Sequence, residues 1–139
     1  MKGLLEAIQL QYAVVLSGLH EENPLFYGFA PQGVSAPYMI VNMIAQEHSA
    51  AMGWDGGEYE DNYVQFTLVN AERAGIASLL TAYEALTATF DEAALEIDGS
   101  ACVRMRRLTS IGPIPDPDAM SGGWMLTVDY LIETDTEIN

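Results

Sequence analysis

Between residues 63 and 69 the chain alternates Val64, Phe66 and Leu68 with Tyr63, Gln65 and Thr67, the period-two pattern of a half-buried strand. Asn70 stands where a helix N-cap belongs, its side-chain oxygen available to the first free backbone N–H groups. Over 71–90 the period lengthens. Ile76, Leu79, Leu80, Tyr83, Leu86 and Phe90 recur at three- and four-residue steps, which predicts one apolar helical face. Burying six such side chains yields about 9–18 kcal/mol at about 1.5–3 each. Ordering the segment costs on the order of 20–40 kcal/mol. This helix therefore needs a sheet beneath it, and the strand just before it is the nearest candidate.

The rest of the chain divides by the same test. Leu4, Leu5, Ile8, Tyr12, Val15, Leu16 and Leu19 share a helical stripe, with Lys2, Glu6, Gln9 and Ser17 outside it, predicting a first amphipathic helix that ends near His20 before Pro24. A short strand follows over 26–29, then a connector stiffened by Pro31 and Pro37. Residues 38–44 are almost continuously apolar, predicting a strand covered on both faces. Residues 46–57 read as a long loop carrying Met52 and Trp54, and 58–62 as its acidic exit. Strands are expected over 101–110 and 124–134. In the first, Cys102, Arg104 and Arg106 face one way and Val103, Met105 and Arg107 the other; in the second, Trp124, Leu126, Val128, Tyr130 and Ile132 point inward. A Pro-rich loop over 112–123, carrying Ile114 and Met120, separates them, and 133–139 is expected to be a frayed tail. The expected fold is one α+β domain over 1–139: a β-sheet of about five strands with two amphipathic helices packed on it, in the order α-β-β-β-α-β-β.

Composition changes this picture mainly through charge. Twenty Asp and Glu against five Lys and Arg give a formal charge of −15. A surface of that sign repels nucleic-acid phosphate, which disfavours a DNA- or RNA-binding role. It keeps a protein soluble, and it also suits a wall that DNA must pass without sticking or a meeting with a basic partner. Half the residues are apolar but dispersed in short periodic runs, so no membrane span is expected. Glu6, Gln9 and Gln11 interrupt the N-terminal apolar segment, so no signal peptide is expected, and the lone Cys102 is more simply read as intracellular.

No catalytic constellation emerges, so the chain is expected not to be an enzyme and to carry no cofactor and no metal. His20 and His48 lack a partner at helical ligand spacing, and Cys102 reads as a small core residue. There is no nucleophile elbow, no phosphate-binding Gly-rich loop and no Cys-x-x-Cys. The acidic run 55–61 has the carboxylate density of a calcium loop without its spacing. Arg104, Arg106 and Arg107 are more informative, because three of the five basic residues lie in one predicted strand. They either pair with neighbouring carboxylates such as Asp129, or form a basic stripe that meets the acidic surface of another copy in a head-to-tail ring. Both readings stand at this point. Met52, Trp54, Ile114 and Met120, large apolar residues on expected loops, are candidate partner contacts.

One stretch carries a resemblance. Phe26, Tyr27, Gly28, Phe29, Ala30, Pro31, Gln32 and Gly33, followed by Ala36, Pro37, Tyr38, Met39, Ile40 and Val41, resemble the signature of bacteriophage tail completion, or tail terminator, proteins. The strand at 64–69, the helix after it and the two closing strands are similar to the rest of that family. The resemblance implies a structural virion protein forming a homo-hexameric ring on the head-proximal end of the tail tube. It implies contacts with the tail tube protein and the head–tail connector protein, DNA passing through without specific binding, and a place in the virion neck after assembly in the host cytoplasm. The Pro-rich segment 112–123 departs from the family pattern. The alternative is a small α+β module that binds a ligand or peptide on the open face of its sheet.

Overall fold

The structure, a computed structural model, describes residues 2–15, 23–33, 37–50, 58–70, 75–91, 95–97, 100–115 and 123–136. Its elements are α1 (Lys2–Val15), β1 (Leu25–Tyr27), β2 (Tyr38–Ala50), β3 (Glu58–Asn70), α2 (Gly75–Phe90), β4 (Glu96–Ile97), β5 (Ser100–Pro115) and β6 (Trp124–Thr136). The strands form one mixed sheet in the order β1-β2-β3-β6-β5-β4. Only the β1–β2 pair is parallel among those described. The expected α+β order of two helices and five strands is present, with the two-residue β4 added at one margin.

Both helices lie on one face of the sheet and share its core. The alternation read from the sequence puts Val64, Phe66 and Leu68 of β3 beside Leu126, Val128, Tyr130 and Ile132 of β6, all buried. Met39 and Val41 of β2 and Met105 of β5 extend this layer. Above it α1 inserts Leu4, Ala7, Ile8 and Tyr12, and α2 inserts Leu79, Ala82, Leu86 and Phe90. Phe66, Phe90 and Tyr130 meet as an aromatic trio, with Phe66 5.2 Å from Phe90 and edge-on to Tyr130 at 5.8 Å. Polar groups inside this layer are matched: the Asn62 amide donates to the Ile132 carbonyl at 3.1 Å and the Thr134 hydroxyl at 3.2 Å.

Several expectations change. The strands β2 and β3 run on into the expected loop and its acidic exit: Gln46 to Ala50 pair with Asn62 back to Glu58, and 51–57, the rest of that loop, lie outside the described residues. This end of the hairpin reads as loop because Gln46 and Glu47 are polar and exposed: apolar alternation stops there, while backbone pairing continues. Likewise β5 runs to Pro115, and β6 runs past its expected end at Thr134 into the expected tail, Asp135 and Thr136 pairing with β3. The apolar stripe of α2 is narrower than read, because Ile76 and Leu80 at its margin are exposed. Nor is β2 covered on both faces: among the described residues the second face of the sheet carries no helix, and Ile44 is exposed. Helix starts or ends expected at 16–20 and 71–74 lie outside the described residues.

Candidate interface surfaces

Arg106 and Arg107 of β5 fall into two different environments. The chain register puts Arg107 opposite Tyr130, on the helix side of the sheet. Its guanidinium donates to the Tyr83 hydroxyl at 2.7 Å and pairs with the Asp91 carboxylate at 3.3 Å. Tyr83 also shares a 2.7 Å hydrogen bond with the Ser110 hydroxyl, and the Tyr130 hydroxyl donates to Asp91 at 2.8 Å. This network ties the end of α2 to β5 and β6. Burial, then the bond to Asp91, pushes the Tyr130 phenol well above the usual tyrosine range, and the Tyr83 bond raises Arg107 further. Arg107 is an internal strut.

Arg106 stands opposite Leu131, on the face without helices, and is exposed. Among the described residues it has no ion pair. Arg104 occupies the register position opposite Glu133, across a bulge at Cys102 and Arg104. Asp129, weighed as an arginine partner, instead accepts from the Gln65 amide at 3.0 Å and sits opposite Thr109. The open face therefore carries charge of both signs. Tyr63 in its middle has its pKa raised first by the charge of Glu47, then by burial and Asp61, while Arg106 acts in the opposite direction. The carboxylates acting on Tyr63 are Glu47 of β2, Asp61 of β3 and Glu133 of β6, and the cation is Arg106 of β5.

Of the apolar candidates, Ile114 lies in β5 opposite Met125, on a strand rather than on the loop expected, and is exposed. Met52, Trp54 and Met120 lie outside the described residues. The surfaces that sequence reading missed are strand margins. Ile44 of β2 is 52% exposed, and Leu108 and Ile111 of β5 are 42% and 53% exposed. Each sits at or beside a register shift, at Met43/Ala45, Arg107/Thr109 and Ile111/Ile114. A bulge breaks the alternation by which sequence reading assigns faces, so no pattern marked them. Leu10 and Val14 of α1 and Phe29 after β1 are further exposed apolar residues. Among the described residues no three His, Cys, Asp or Glu side chains gather as a metal site requires, and no helix is long and apolar enough to cross a membrane.

No family model and no curated protein matches the chain. The fold does have a solved counterpart. A chain from the virion of a native gene transfer agent particle superposes with a TM-score of 0.68 at 16% identity, covering 94% of this chain and 92% of that one. At that identity the two share a fold, along nearly the full length of both.

Proposed function

We propose that this protein is a structural virion component of the tail terminator type. Copies form a hexameric ring at the head-proximal end of the tail tube, stop its polymerisation and present a surface to the head connector. The observation that carries this reading is the end-to-end fold likeness to a chain of a virion particle. The signature-like run through Pro31, Gln32, Gly33, Pro37 and Tyr38, noted on sequence alone, supports the same reading independently. The role calls for rigid domains and complementary edges rather than a reacting group. The exposed Glu47 on β2 and the exposed Arg106 on β5, near opposite margins of the sheet, suit a heterologous interface, in which two different patches of one chain meet around a ring. The strong overall acidity suits a wall past which DNA travels.

The test is direct. Purified protein added to polymerising tail tube subunits should cap tube ends and arrest growth, seen by electron microscopy as tubes of limited length bearing a terminal ring. Tubes that grow unchanged and carry no ring in the presence of excess protein would reject the proposal. They would leave the ligand-binding module as the reading to pursue.

A further inference from the structure

The sheet ends in two long edges that the described chain leaves largely open. On one side β5 runs from Ser100 to Pro115, and its outer edge pairs with β4 only at Ser100 and Ala101. Among the described residues, the outer edge from Cys102 to Pro115 has no strand partner. On the other side β1 covers β2 only at Met39, Ile40 and Val41, which leaves the edge from Asn42 to Ala50 open among the described residues. Those nine residues span about 30 Å of unpaired backbone. Natural proteins seldom leave edges of this length uncovered, since each is a template for another strand.

The two edges are complementary. The β5 edge carries Arg106 with Leu108 and Ile111 exposed, and the β2 edge carries Glu47 with Ile44 exposed. Arg106 and Glu47 have no ion pair among the described residues, and the register puts both on the open face: Arg106 and Tyr63 both stand opposite Leu131, and Glu47 stands opposite Asp61, two positions from Tyr63 along β3. Strand direction agrees as well. Three successive antiparallel pairings, β2–β3, β3–β6 and β6–β5, make β2 and β5 run in opposite directions. A copy related by rotation about an axis along the strands would thus bring its β2 antiparallel to the first copy's β5. We infer that the occupant of the open β5 edge is the β2 edge of a second copy of this chain, so that the sheet continues from subunit to subunit. This rests on the ring reading and specifies its interface. The bulges in both edges confine pairing to a bent partner of matching shape, which disfavours indefinite stacking.

The experiment uses Cys102→Ser as background, with Ile44→Cys and Ile111→Cys placed in separate full-length chains. Rings are assembled on tube ends or in concentrated solution, verified by native mass spectrometry, and treated with a short bis-maleimide. Mixed rings should yield a covalent dimer containing one chain of each kind, and rings of either variant alone should yield none. Rings that form without the mixed dimer, or that cross-link within a single variant, overturn the edge pairing while leaving the ring intact. Failure to form rings under any condition overturns both. A charge exchange gives a second readout: Arg106→Glu should lower the ring population about tenfold or more. Adding Glu47→Arg to the same chain should restore it. An unchanged population for Arg106→Glu, or no rescue by Glu47→Arg, counts against the pairing of these edges.

Discussion

Individual side chains in this protein are distinguished by where the backbone aims them more than by their type. Tyr130 and Tyr12 are both fully buried, and each hydroxyl donates inside the fold, to Asp91 and to the Asn23 carbonyl respectively. Tyr130→Phe removes one bond and leaves Asp91 with its Arg107 pair, so a loss of about 0.5–1.5 kcal/mol is expected in a urea titration. Both phenols are raised above the ordinary value of 10.0, by burial first. The sign follows from which state holds the proton longer. Above pH 10 the unfolded tyrosines ionise while the folded ones stay protonated, so stability is complete below pH 10 and falls as pH rises beyond it. Unfolding followed across that range should show a shallower decline in the double variant Tyr12→Phe/Tyr130→Phe. Gly112 is the other singular residue, with φ at +121° and a hypothetical Cβ only 2.8 Å from the Met125 carbonyl oxygen. The obstacle is backbone, which cannot swing away. Gly112→Ala should cost at least about 1–3 kcal/mol, read as a lowered unfolding midpoint.

Among the elements, α2 shows how burial differs along a single apolar stripe. Leu86 is fully buried in the core, whereas Leu80, six residues earlier, sits at the exposed margin. Leu86→Ala should therefore cost about 2–5 kcal/mol in chemical denaturation. Leu80→Ala should cost less than about 1 kcal/mol. Equal losses at the two positions would contradict the observed placement of the helix. The polar network at the C-terminal end of α2 has a related role. It uses Arg107, Tyr83, Asp91 and Tyr130 to tie the helix to β5 and β6, beside the buried Phe90 that ends the apolar stripe.

At the scale of the whole molecule, charge and edge geometry govern what the protein can meet. With a formal charge of −15, the protein should not retard duplex DNA in a gel even at low salt, where electrostatic attraction is strongest. A retarded band under those conditions would show a basic surface strong enough to outweigh the net charge. Arg106, an exposed cation on the open face, is better placed to meet carboxylates of a neighbouring copy than phosphates, because the net charge of −15 repels phosphate.

The sequence by itself determined the parts whose pattern is local. Period-two alternation in β3 and β6 and the three-and-four spacing in α1 and α2 marked the core, because residues that face a helix layer must be apolar at fixed intervals. It could not reveal strands where that layer is missing. Gln46 to Ala50, Ile111 to Pro115 and the last two residues of β6, Asp135 and Thr136, pair through their backbones, and backbone hydrogen bonds impose little side-chain pattern of their own. For the interface, the sequence gathered Arg104, Arg106 and Arg107 into one stripe but left open whether they bonded within the chain or outside it. Alternation had already set Arg106 and Arg107 on opposite faces; only the tertiary structure showed that Arg107 is on the helix side, drawn into the network with Tyr83 and Asp91, and that Arg106 is on the open face. The physical reason is that successive positions in a strand point to opposite faces. Which face carries the helices is decided by contacts between elements distant in the chain.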